Sequence, residues 1–174
     1  MKTIRFTLTL GTCLLLTHTT FALARQDCNI NSPASTPTQR FNNHGNGTVT
    51  DTSTGLMWKT CLEGQNNRDC SGGGPERMYW QKADDTVQFA NQRRFATYTD
   101  WRLPTVAELN SIVERRCQAP AINLEIFPHM PAVSLWSSNQ SEQNADSLDF
   151  TKGKVLAQQF KGAGNYVRLV RNLR

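Results

Sequence analysis

From residue 41 onward the apolar positions fall into short clusters with two different periods. Residues 47–59, GTVTDTSTGLMWK, alternate loosely around a TSTG turn and predict a β-hairpin. Residues 79–95 set Trp80, Ala83, Val87 and Ala90 on one face at helical spacing, with Phe89 beside it. Residues 105–117 predict a second helix with a marked start. Pro104 precedes Thr105 at the N-cap, and Glu108 follows three residues later. In such a capping box the hydroxyl and the carboxylate each satisfy a free backbone N–H. Val106, Leu109, Ile112 and Val113 form the apolar stripe of this helix.

After Pro120 the period shortens. Residues 134–138, 147–151, 155–160 and 166–170 are strand candidates, joined by turns at Lys152-Gly153-Lys154 and at residues 162–165. Residues 63–77 are polar and contain three consecutive glycines, so they predict a loop. The order is hairpin, two helices, then an antiparallel meander. This is an α+β architecture, in which the first hairpin can pair with the last strand.

The first 24 residues carry Lys2 and Arg5, an apolar run, and Ala22-Leu23-Ala24, the pattern of a cleaved secretory signal peptide. Residues 29–39 are rich in Pro, Ser, Thr and Asn. The predicted organisation is therefore a signal peptide at 1–24, an arm or linker at 25–40 and one domain at 41–174. Nothing after the leader is apolar enough to span a bilayer, and the expected destination is the periplasm or the exterior. Cys13 leaves with the leader. The remaining four cysteines imply two disulfides in an exported chain. Of the three pairings, Cys61–Cys70 around the glycine-rich loop and Cys28–Cys117 tying down the arm are favoured. Zinc is a poor alternative, because no CxxC spacing occurs and only His44 and His129 remain. Loss of Lys2 and Arg5 takes the formal charge from +5 to +3, a mildly basic balance that permits acidic partners.

GNGTVTDTSTGLMW, then Trp80 and the alanines of a helix, then DWRLPTVAEL, PAIN, LWSS and YVRLVR follow one another in order. Together these motifs resemble the Lcl C-terminal domain family, formerly a domain of unknown function, over about residues 40–171. WRLPT before an acidic helix is also similar to a segment of the formylglycine-generating domains. The resemblance implies a C-type-lectin-like fold and an exported binding or adhesion module. The namesake domain is implicated in binding sulfated glycosaminoglycans. The family often carries DNGDGT where this chain has Asn43-His44-Gly45-Asn46-Gly47-Thr48. Both acids are lost, and Asp51 is the one carboxylate between residues 41 and 61, too little charge for calcium. A structural turn is expected there, and no metal or other cofactor.

Catalytic parts are missing from the pattern. Neither remaining histidine sits in a nucleophile motif, and no cysteine follows Cys117 to carry formylglycine-generating chemistry. Asp84-Asp85 and Asp146/Asp149 read as solvated pairs. The four tryptophans read as core anchors, and Arg102 as one half of an ion pair with Asp100 or Glu108. Arg93-Arg94 and Arg115-Arg116 read as cations at helix C-termini. Residues 151–174 hold six cations and no acid: Lys152, Lys154, Lys161, Arg168, Arg171 and Arg174. If several share one face, that face can attract sulfates, uronates or phosphates. No nucleic-acid module signature is present. The reading is a non-catalytic module for acidic glycans acting through Lys152, Lys154, Lys161, Arg168 and Arg171. The alternative is a subunit that binds a protein partner in an envelope or host-surface assembly.

Overall fold

The computed structural model describes residues 26–173, so the expected leader at 1–24 and Arg174 lie outside the described residues. The strands are β1 (Asp27–Cys28), β2 (Phe41–Asn43), β3 (Thr48–Asp51), β4 (Leu56–Lys59), β5 (Gln65–Asn66), β6 (Gly72–Gly73), β7 (Cys117–Gln118), β8 (Ser134–Gln140), β9 (Asn144–Asp149), β10 (Lys154–Phe160) and β11 (Val170–Asn172). Two helices, α1 (Trp80–Gln92) and α2 (Val106–Ser111), stand between β6 and β7. The chain is α+β, with short antiparallel strands, as the patterning predicts.

The β3–β4 hairpin forms where the alternation places it, with Val49 opposite Trp58 and Asp51 opposite Leu56. β2 and β11 flank it, in the order β11-β4-β3-β2. The last strand therefore pairs with the first hairpin, Val170 opposite Trp58. β8, β9 and β10 form a separate three-stranded meander with β9 in the middle. The second strand candidate, residues 147–151, shifts towards the N-terminus. It ends at Asp149 because the next residue, Phe150, is wholly buried and hydrogen-bonds back to Val133 and Ala121. The fourth shifts the other way: Tyr166 bridges Leu135, and only Val170 enters the ladder beside β4. Residues 63–77 include the two-residue β5–β6 ladder inside the expected loop.

α1 buries Trp80, Ala83 and Ala90, the face picked out by the spacing. α2 has the capping box: Thr105 Oγ1 accepts from Glu108 N at 3.1 Å, and Thr105 N donates to Glu108 Oε2 at 2.7 Å. It is half the expected length. Val113 leaves the helix to bridge Ile122, and Glu114 N donates to Ala121 O. These long-range partners replace the last helical turns.

Two apolar clusters fill the interior. One joins Val49, Trp58, Leu109, Ile112, Phe127, Leu135 and Leu148. The other joins Trp80, Trp101, Trp136, Leu103 and Leu169. All four tryptophans are buried. Three donate from the indole to a backbone oxygen: Trp80 to Ser137, Trp101 to Phe95 and Trp136 to Met78. This is the usual way a buried indole is satisfied.

Disulfides close Cys28–Cys117 and Cys61–Cys70, a chemistry that persists in oxidising compartments. In the chain-entropy account the long loop contributes about 4.6 kcal/mol and the short one about 2.6. Among the described residues no helix is long and apolar enough to cross a membrane. The Pro/Ser-rich segment is tied to the domain. β1 pairs with β7, Gln26 Nε2 donates to Pro120 O and Ile122 O, and Thr36 is buried.

Candidate functional site

Gly153 decides where the β9–β10 turn sits. Its φ is +65°, and a Cβ there would lie 2.5 Å from Val113 Cγ1. Without a side chain the turn presses onto the segment after α2. Ala119 N to Thr151 O at 2.9 Å and Ala121 N to Phe150 O at 2.6 Å hold the two together. The lysines flanking that glycine thereby reach the ladder that carries the long disulfide.

The result is a groove of about 430 Å³ over Cys28–Cys117, lined by Arg115, Arg116, Lys152, Lys154 and Asp27 among others. Four cations face one acid there. Asp27 is engaged by Gln118 Nε2 at 2.8 Å. The Lys152 and Lys154 ammonium groups have no hydrogen-bond or ion-pair partner among the described residues, and both residues are exposed. The Arg115 guanidinium makes one long contact, to Asn110 Oδ1 at 3.3 Å, and that of Arg116 approaches Glu114 at 3.9 Å.

Glu114 is turned inward. Its carboxylate accepts from Ser35 N, Ser35 Oγ, Thr36 N, Thr36 Oγ1 and Arg116 N. Burial works to raise this carboxyl, but the backbone donors of Ser35, Thr36 and Arg116 outweigh it and bring it down to about 2. The acid that could neutralise the groove is thus spent on fastening the arm.

The structure divides the five expected site residues. Lys152 and Lys154 come together in the groove. Lys161 does not line it: its ammonium lies 4.7 Å from the Trp80 ring centroid and donates to Glu142 O at 3.2 Å. Arg168 and Arg171 are buried, which corrects their expected place on a shared basic face. Arg168 donates to Lys59 O at 2.8 Å and to Thr60 O, and stacks over Phe127 at 4.5 Å. Burial pushes its guanidinium down to about 9, opposed by the charge of Glu63, so it remains a cation at neutral pH. Arg171 pairs with Asp100 at 2.7 and 3.1 Å and lies over Tyr98 at 3.9 Å. The segment ending in β11 is covered on both sides, by β4 and by the Arg102 backbone.

Sequence reasoning assigned Arg115 and Arg116 to a helix end. α2 stops at Ser111, and the two arginines lie in the turn before β7. Their position just ahead of Cys117, once Cys117 is paired with Cys28, is the signal that places them beside β1.

The other candidates have structural roles. Arg102 forks onto Glu108 at 2.6 and 2.7 Å. The loop at residues 43–48 is a turn closed by its own side chains, with Asn43 Oδ1 accepting from Gly45 N and Asn46 Oδ1 from Thr48. Asp51 points away from it and is held by Arg40, Thr54 and Ser53. Burial raises the Asp51 carboxyl, and these donors outweigh it to leave it below its ordinary value. Asp146 and Asp149 accept from Gln158 N and Thr151 N. Among the described residues no group of three His, Cys, Asp or Glu is placed to hold a metal ion.

No curated protein matches the chain. The family model of the Lcl C-terminal domain matches residues 47–171, a span that contains the hairpin, both helices, the meander and three of the four disulfide cysteines. The chain belongs to the Lcl C-terminal domain family.

Proposed function

We propose that this protein is an exported, non-catalytic binding module of C-type-lectin-like kind that recognises acidic polymers, sulfated or uronate-bearing glycans foremost, through the groove over Cys28–Cys117. The observation that carries this reading is the convergence of Arg115, Arg116, Lys152 and Lys154 on one concave surface with a single engaged acid. Two guanidinium forks suit sulfate and carboxylate oxygens, and two ammonium groups supply point charges. The disulfide and the β1–β7 ladder give the groove a rigid floor, so little ordering entropy opposes binding.

Heparin-affinity chromatography tests this. The oxidised domain is expected to be retained at low ionic strength and released as salt screens the contacts. The double variant Arg115→Ala/Lys154→Ala is expected to elute at clearly lower salt. Neutralising all four cations is expected to abolish retention at roughly 0.15 M salt, where the screening length is about 8 Å. Lys161→Ala is expected to elute with the parent. Equal retention of parent and quadruple variant would remove the groove from the account.

One observation favours a protein partner instead. β10 is a sheet edge, paired only with β9, and it exposes Val155, Leu156 and Phe160. An edge of this kind can accept a further strand. The bulge at Gln158, whose φ is +55°, interrupts it, so the groove remains the stronger candidate. A domain that ignores heparin but co-purifies with a stoichiometric protein would move the reading to this edge.

A further inference from the structure

A second cavity, of about 460 Å³, shares no lining residue with the basic groove. Its volume falls in the range of small-molecule sites. Asn46, Lys59, Asn66, Asn67, Arg68 and Phe95 line it, together with the Gly45–Gly47 turn and Cys61.

Backbone strain is concentrated on its two walls. Eight described non-glycine residues have positive φ, and five of them lie in the loops that form this cavity: Asn67 (66°), Cys70 (63°), Arg94 (51°), Ala96 (51°) and Thr97 (75°). A β-branched residue such as Thr97 is a genuine outlier in that region. Such residues persist only where their surroundings enforce them. Three of the five surround Phe95 and fix it as a wall. The Phe95 carbonyl accepts from Trp101 Nε1, and the two rings meet edge to face at 5.6 Å. On the opposite side, a Cβ at Gly47 would come within 3.1 Å of the Phe95 ring, so glycine lets the turn close against it.

The lining is rich in donors and contains no carboxylate. Lys59 lies 4.2 Å from the Phe95 ring centroid and shares its charge with Glu63 at 2.5 Å. Arg68 is exposed, with no hydrogen bond or ion pair among the described residues. Asn46 spends its carbonyl on Thr48 N and Oγ1, which leaves its NH₂ as a donor. The Asn66 amide also lacks a partner there. Side-chain amides both donate and accept, as hydroxyls do. An unpaired guanidinium matches one carboxylate, and an aromatic wall matches the C–H groups of a ring.

We infer that this cavity is a subsite for a sugar acid, with the carboxylate on Arg68, hydroxyls on the Asn46 and Asn66 amides, and ring C–H groups against Phe95. A free sugar acid and the terminal ring of an acidic glycan share this chemistry. The inference does not rest on the groove.

The test is a titration of the ¹⁵N-labelled oxidised domain with sodium glucuronate, with glucose at matched ionic strength as the comparison. Glucuronate is expected to shift the amides of residues 45–47, 66–68 and 95 saturably, and glucose to bind at least tenfold more weakly. Arg68→Ala removes an exposed side chain without protein partners, so the fold is retained, and affinity is expected to fall at least tenfold. Arg115→Ala/Lys154→Ala is expected to leave this site unchanged, which separates its fate from that of the groove. Methyl glucuronide assigns the source: retained affinity points to a glycan terminus, and lost affinity to the free acid. No saturable shift with glucuronate, equal binding of glucose, or an unaltered affinity in Arg68→Ala would overturn the assignment.

Discussion

Arg168→Ala is expected to lower the unfolding free energy by about 3–5 kcal/mol, the range for emptying a large core position. The side chain is wholly enclosed. Its loss leaves a cavity beside Phe127 and removes the donor from the Lys59 and Thr60 carbonyls at the end of β4. Orphaning a buried carbonyl adds a desolvation penalty of about 1–3 kcal/mol, included in that range. Arg168→Met is expected to cost less, because it keeps apolar volume and removes a buried charge that has no carboxylate bonded to it. Urea denaturation checks both: the midpoint should fall in the order parent, Met, Ala, with the slope unchanged. Whichever variant remains folded should elute from heparin with the parent. A folded Arg168→Met with parental stability and weakened heparin binding would place this residue at a surface, against the structure.

Glu114→Gln is expected to be the second most damaging change. The carboxylate accepts five hydrogen bonds from residues 35, 36 and 116 and offers no donor. An amide nitrogen in place of either oxygen faces N–H and O–H donors. Its pKa is depressed in the folded state, from 4.5 to about 2. The stability it contributes is therefore fully present above the unfolded value of 4.5 and is lost as pH falls towards 2. The size of the shift corresponds to about 3 kcal/mol. In the parent, stability should decline between about pH 5 and pH 2 with roughly one more bound proton on unfolding than in Glu114→Gln. At pH 7 the variant should show faster amide exchange at Ser35 and Thr36, while Cys28–Cys117 keeps the arm attached. An unchanged acid limb would mean that Glu114 does not hold the arm.

What was readable in the sequence and what was not separate along the range of the forces involved. The TSTG turn, the Thr105–Glu108 capping box and the Trp80–Ala83–Ala90 stripe are set by neighbours within a few residues, and each forms as patterned. Counting implied two disulfides and left three pairings, and the favoured one, with a short bridge around the glycine-rich loop, is the one that forms. The end of α2 was not readable, because Val113 and Glu114 are drawn out of the helix by Ile122, Ala121 and the arm. The charge of the last quarter was readable in sign but not in direction. Residues 166–171 carry two arginines that charge alone would put on a surface. Phe127 and Met130 pack on Arg168, and Tyr98, Met57 and Asp100 on Arg171, which buries both. Half of the groove was hidden for a similar reason: Arg115 and Arg116 join Lys152 and Lys154 only because Gly153 lets the turn close on Val113.

The most direct test of the central claim is to map where a heparin oligosaccharide touches the oxidised domain. In a titration followed by ¹⁵N–¹H spectra at low salt, the largest shifts are expected at residues 27–29, 115–118 and 152–154, and these are expected to collapse as salt is raised. Shifts centred on β10 or around Lys161 and Trp80, or none at all, would contradict the assignment of this groove as the binding surface.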